Sequence, residues 1–219
     1  MVRVICNDGD IDVNVHALRA ASTVPGRALT RNDTAQLRLN TTRKGFSVLF
    51  VWLCHGKIEY SDGLIDHASE LDDLNLLCAA YETGKILEIP PAFVDEVMDC
   101  IIGIVAEPTV RTTSEITDIV SRLRRVFGPD TAGRKFLVDW LVRSDTEDVE
   151  EDSGTGEAEI EIVSMIREDG DLLGRFLREI FHNKWTEAGR IRSWESDNCA
   201  YHTHGADRPC YAASGKMRT

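Results

Sequence analysis

Four residues near the end of the chain have the types and the spacing that could bind a metal ion. Cys199, His202, His204 and Cys210 form the pattern Cys-x2-His-x-His-x5-Cys. Thiolate sulfur and imidazole nitrogen are the ligands that tetrahedral zinc prefers, so this one short segment could close a site without help from the core. The spacing matches no common zinc finger. Two alternatives stay open: a zinc-stabilised regulatory protein, or a tail that binds no metal.

Cys54-His55 is a second pair with chemical potential, because an imidazole can activate a neighbouring thiol. Adjacent residues at a helix end rarely face each other, however, and the sequence offers no third group to orient His55. His16, at the start of a predicted helix, is expected to be a structural histidine that hydrogen-bonds nearby backbone. No phosphate-binding Gly-rich loop and no Ser/His/Asp arrangement stands out. We therefore expect no catalytic residues, no enzyme activity, and no cofactor other than the zinc considered above.

The negative charge of the chain is concentrated in one stretch. The 219 residues carry 37 acidic and 25 basic side chains, a net charge of -12. Nine of the acids and no base lie between Asp145 and Glu161, which leaves 28 acids against 25 bases elsewhere. Binding to a nucleic-acid backbone needs a basic face, so nucleic acid is not an expected partner.

Three features bear on where the protein acts. No apolar run approaches the roughly 18 residues that span a bilayer, so no membrane association is expected. Residues 1–6 are too short and too soon followed by acids for a signal peptide. Four of the six cysteines have apolar neighbours, which is typical of reduced core thiols. We expect a cytoplasmic or nuclear protein.

The elements that would position these residues follow from hydrophobic periodicity. Residues 2–15 alternate around a turn at 7–10 and predict a β-hairpin. A helix over 16–22, a short strand at 37–39 and an apolar helix over 43–54 follow, the last closed by Gly56. Further helices are predicted over 65–84, from 90 to about 105, 116–126, 133–142 and 160–183, the last broken at 169–170. Pro90-Pro91 opens the second of these, since proline is tolerated in a first helical turn. Its expected buried face consists of Phe93, Val97, Met98, Ile101 and Ile102.

Three stretches resemble motifs of the BTB/POZ family, in the family's order. The first runs from a strand into a helix that begins hydrophobic-x-His-x-x-Leu, and reads Asp12-Val13-Asn14-Val15-His16-Ala17-Leu18. The second combines Phe46 with Trp52-Leu53-Cys54-His55-Gly56-Lys57-Ile58, similar to the family's Phe…Leu-Tyr-Thr-Gly-x-Ile. The third, from Glu70 to Asp99, is similar to the family's paired helices.

The resemblance implies an α+β fold in which a small sheet is capped by helices. It implies a BTB/POZ-like domain at 1–105, a helical extension at 106–192 with an acidic flexible loop at 144–159, and a Cys/His-containing tail at 193–219 that is expected to be poorly ordered. The extension and the ending from Cys199 to His204 resemble those of many BTB proteins of filamentous fungi.

The function that the resemblance implies is protein–protein interaction: homotypic association, recruitment of a partner, or both. In the family the first helix lies at the dimer interface, so Val15, Leu18 and Ala21 are the expected assembly surface. An adaptor for a cullin-3 ubiquitin ligase is the alternative. The hydrophobic-x-Glu signature of strong cullin-3 binders would fall around 29–37, where no Glu occurs, so weak or absent binding is expected.

Overall fold

The chain combines a small β-sheet with helices, as the α+β class predicted from the sequence requires. The computed structural model describes residues 1–14, 16, 18, 36–58, 70–106, 112–147, 164, 166–185 and 198–203. The chain divides into two compact units. Unit 1 comprises Met1–Ile104 and His202–Thr219, and unit 2 comprises Val105–Tyr201.

A three-stranded sheet opens unit 1. Strands β1 (Val2–Cys6) and β2 (Gly9–Val13) form the predicted antiparallel hairpin, and β3 (Gln36–Arg38) pairs with β1 in parallel. The strand order is therefore β2-β1-β3, with Val4 opposite Ile11 on one side and Leu37 on the other. Alternate residues of β1 are buried, which is the period of two that a one-sided sheet requires.

Unit 1 also contains three helices whose bounds are described. Helix α1 (Arg43–His55) begins where the Thr42 side chain accepts a hydrogen bond from the Gly45 N–H. It ends at Gly56, which has φ 73° and donates its N–H to the Trp52 carbonyl at 2.7 Å. Helices α2 (Glu70–Ile86) and α3 (Pro91–Val105) follow. The five positions predicted for the buried face of α3 are all buried: Phe93, Val97, Met98, Ile101 and Ile102.

Close packing joins α1 to α2. A Cβ added at Gly45 would lie 2.6 Å from the Cβ of Ala79, so only a glycine fits this contact. Beside it the hydroxyls of Thr41 and Thr83 lie 2.6 Å apart, and Thr83 also donates to the Ala79 carbonyl. Two polar side chains are thus satisfied inside the core.

Unit 2 contains three further described helices, α4 (Thr113–Val126), α5 (Ala132–Glu147) and α6 (Gly170–Trp185). A capping box formed by Thr112 and Glu115 starts α4. The Asp169 carboxylate accepts the Leu172 N–H at 3.1 Å at the start of α6 and also pairs with the guanidinium of Arg134 on α5. Arg134 is 3% exposed, so this ion pair lies within the unit.

Helix α5 is longer than its predicted range of 133–142. It continues to Glu147, so residues 144–147, predicted to belong to the flexible loop, are helical. No Gly or Pro interrupts the sequence between 134 and 147, and the acidic side chains alone do not end the helix. The remainder of that loop, 148–159, lies outside the described residues. None of the helices in the described ranges combines the length and the hydropathy that crossing a bilayer would need.

Candidate functional site

The predicted metal ligands lie partly inside the described chain. Cys199 is half-buried in a short 3-10 helix, Asn198–Tyr201, and His202 directly follows this helix. His204 and Cys210 lie outside the described residues. Within the described ranges no group of three or more metal-ligating side chains converges. The zinc site stays a prediction.

His202 is held by a carboxylate of α3. Its side chain is 2% exposed, and its Nε2 lies 2.9 Å from Asp99 Oδ1, to which the ring N–H donates. The two residues are 103 positions apart in the sequence. The segment that was expected to be poorly ordered is therefore tied to a helix of unit 1 at this residue.

Thr203 makes two further hydrogen bonds to α3. Its backbone N–H and its hydroxyl both donate to Asp95 Oδ1, at 2.6 and 2.8 Å. Asp95 and Asp99 are four residues apart on one helix and thus lie on one face of it. We call these two residues the α3 carboxylate pair. The pair and the dipeptide 202–203 together form one hydrogen-bonded cluster.

Asp95 is the most buried member of this cluster. The residue is 1% exposed, and its second oxygen, Oδ2, is buried without a hydrogen-bond partner. Tyr81 on α2 is also 1% exposed. Burial, and secondarily the negative charge of Asp95, raise the pKa of the Tyr81 phenol to about 12. One oxygen of the buried Asp95 carboxylate thus accepts hydrogen bonds that offset the cost of its burial, and the other oxygen does not.

Tyr201, the residue before the cluster, contacts three residues of α5 in unit 2. Its hydroxyl donates to Asp139 Oδ2 at 2.8 Å, and its ring meets Phe136 edge to face with centroids 5.4 Å apart. The ammonium of Lys135 lies 4.7 Å from the ring centroid and 2.7 Å from the same Asp139 oxygen. An aromatic body with a bonded polar tip is a common way to anchor a segment.

The expected assembly surface is described at one position. Leu18 is 1% exposed, so its side chain belongs to the core of the chain and has no area left for a partner. Val15 and Ala21 lie outside the described residues, and their surface role stays a prediction. The His16 side chain is exposed, and its backbone N–H donates to Asn14 Oδ1 at 2.9 Å. The contact of His16 that the described residues show is therefore made by its backbone N–H.

Cys54 and His55 are both exposed at the end of α1. The polar residue that organises this end is Glu96. Its carboxylate accepts the Trp52 indole N–H at 2.8 Å and the Ile58 N–H at 2.6 Å. The Trp52 ring also meets Phe93 with centroids 5.3 Å apart. This contact fixes the glycine turn against α3.

Four residues that make these contacts were not predicted from the sequence: Asp95, Asp99, Thr203 and Glu96. A signal was present, because Asp95 and Asp99 stand one helical turn apart in a mostly apolar helix, in which Glu96 is the third acid. Buried acids need donors, so this spacing predicts a hydrogen-bonding segment packed on α3. It does not predict which segment supplies the donors.

Comparisons of the chain with protein-family models, with curated proteins and with solved structures found no match. What the protein does must be inferred from its own residues and the order of its elements.

Proposed function

We propose that residues 1–105 are a BTB/POZ-like module whose function is protein–protein interaction. The observation that carries the proposal is the order of the described elements. A hairpin is followed by a short strand parallel to β1, then by a helix closed by Gly56 and two further helices. This is the order on which the resemblance rests. The parallel pairing of β3 with β1 is a further feature of the fold, and it could not be predicted from the sequence.

Homotypic association is the form of interaction that can be tested first. We expect the full chain to form a dimer at about 50 μM, a concentration well above a micromolar dissociation constant. Size-exclusion chromatography with light scattering measures the mass directly against the 24.5 kDa of one chain. A monomer at this concentration would count against the proposal.

The variants follow from the burial of Leu18. Leu18→Asp would place a charge in the core and unfold the chain, so a lost dimer would be uninformative. Val15→Asp and Ala21→Asp test the expected surface instead. Asn75→Asp, at an exposed position of α2, is the matched control because it adds the same charge elsewhere. The proposal expects the first two variants to be monomeric and the control to associate as the wild type does.

A cullin-3 adaptor role is tested by pull-down with purified cullin-3. The residues that would carry the family's signature lie around 29–37, and only Gln36 and Leu37 of these are described. The absence of a Glu there leads us to expect no retained cullin-3. Saturable binding of cullin-3 would instead support the adaptor role as the main function.

A zinc-stabilised tail is the second candidate, and one contact favours it. A carboxylate bonded to one ring nitrogen commonly orients a metal-binding histidine, and Asp99 stands in that relation to His202. Nδ1 would then be the coordinating atom. Mass-spectrometric metal analysis of the purified full chain should show about one zinc per chain. It should show none in Cys210→Ser, and a metal-free wild type removes this candidate.

A further inference from the structure

We propose that residues 202–203 are a latch over a peptide-docking surface on α3. In this proposal the α3 carboxylate pair binds, in exchange for the latch, a segment of a partner polypeptide in which a histidine precedes a threonine or serine. The inference goes beyond homotypic association and does not depend on the BTB/POZ resemblance. It rests on what the chain's own dipeptide already does at this surface.

The bound dipeptide defines the chemistry that the surface selects. Asp95 accepts one backbone N–H and one hydroxyl from the same residue, and Asp99 accepts an imidazole N–H from the residue before it. Only Ser and Thr offer a backbone N–H and a short hydroxyl together in this geometry. Proline in this position lacks the N–H and cannot bind in the same way. The surface would therefore bind a two-residue segment in which a histidine precedes a threonine or serine.

The closed state carries a cost that favours exchange. Asp95 Oδ2 is buried without a partner, and a buried charged oxygen that lacks a hydrogen bond is destabilising. Opening of the latch would admit water to this oxygen and offset part of the lost bonding. Thr203 is itself exposed, so the opening starts at the surface.

A labelled peptide tests the docking surface. The peptide Asn-Ser-Ala-Tyr-His-Thr copies residues 198–203, with Ser in place of Cys199. Fluorescence anisotropy should show that it binds the full-length Thr203→Pro variant at least about tenfold more tightly than the wild type, whose latch covers the surface. Adding Asp95→Ala to Thr203→Pro should abolish this binding. A peptide with His replaced by Ala should also bind more weakly.

Two matched variants control for indirect effects. Thr203→Ser keeps both donors, so its peptide binding should equal that of the wild type. Thr203→Val keeps the N–H and loses the hydroxyl, so it should fall between the wild type and Thr203→Pro. The proposal is overturned if Thr203→Pro, shown to be folded by circular dichroism, does not bind the peptide. Equal binding by the wild type would also overturn it, because the surface would then not be covered.

Hydrogen exchange gives a measurement that needs no peptide. The Thr203 amide should exchange more slowly than that of an unstructured peptide in the wild type, and at the unprotected rate in Asp95→Ala. An unprotected amide in the wild type overturns the latch. Dimerisation and peptide binding are measured separately. If the chain is monomeric and Thr203→Pro still binds the peptide, homotypic association is ruled out while the docking surface on α3 is supported.

Discussion

Gly45 sets the distance between α1 and α2. Its added Cβ would also lie 2.8 Å from the Ala79 backbone carbon, which cannot turn aside as a flexible side chain could. Gly45→Ala should therefore destabilise the protein by about 1–3 kcal/mol, because overpacking outweighs the better helix propensity of Ala. Urea unfolding followed by circular dichroism measures the difference.

Gly103→Ala is the control for this substitution. Gly103 lies in α3, is exposed, and would place its Cβ with no neighbour within 4 Å. Here only helix propensity acts, so the variant should be more stable by roughly 0.5–1 kcal/mol. If Gly45→Ala raised the free energy of unfolding as much as Gly103→Ala does, α1 and α2 would not pack as closely as described.

Tyr81 should make stability fall at high pH. Burial, then Asp95, raises the folded pKa of the phenol to about 12 from an unfolded value of 10.0. The unfolded chain thus loses this proton first. The contribution is complete below pH 10 and is lost as the pH rises toward 12. The loss attributable to Tyr81 should reach about 2–3 kcal/mol.

Tyr81→Phe isolates this effect from the titration of lysines. Urea unfolding of both proteins at several values between pH 9 and about pH 12 gives two slopes. The wild-type slope should be steeper in this window. Parallel slopes would show that the Tyr81 hydroxyl ionises in the folded chain as it does in the unfolded one.

At the residue scale, apolar periodicity was the reliable guide. It identified the buried face of α3, but it did not identify which polar residues are buried. Asp95 is bonded by Thr203, which is 108 positions away, and a distance of that kind leaves no local pattern.

At the element scale, the cap of α4 is a feature whose contribution to stability can be measured. The Thr112 hydroxyl accepts the Glu115 N–H, while the Glu115 carboxylate accepts the Thr112 N–H at 2.7 Å. Thr112→Ala removes the first of these bonds and should cost about 1 kcal/mol of stability. Thermal unfolding of Thr112→Ala and Thr112→Ser tests it. Ser keeps the acceptor, so a Ser variant as unstable as the Ala variant would assign the effect to the lost methyl group.

Helix ends with a dedicated residue were predictable, and others were not. Glycine favours the end of a helix and proline its first turn, so Gly56 and Pro91 predict the end of α1 and the start of α3. The end of α5 has no such residue, and the helix continues to Glu147. The Arg134–Asp169 pair joins two helices 35 residues apart, and no spacing rule reaches that far.

At the scale of the whole molecule, the net charge could be predicted from the composition and the α+β class from the order of the elements. The grouping of residues 202–219 with unit 1 was not, because the tail was expected to form a region of its own. It depends on a few hydrogen bonds to two acids in α3. The candidate site therefore became visible only when residues 202–203 were placed against α3, from which they are separated by 103 and 108 positions.

The net charge of -12 gives the proposed self-association a definite salt dependence. Two copies of an acidic chain repel each other, and added salt screens this repulsion while it leaves apolar contacts intact. The dimer should therefore be tighter at about 500 mM than at about 50 mM sodium chloride. Light scattering across a dilution series at both salt concentrations measures the two dissociation constants. Dissociation at high salt would mean that ion pairs hold the interface, and the apolar surface proposed around Val15 and Ala21 would then be the wrong one.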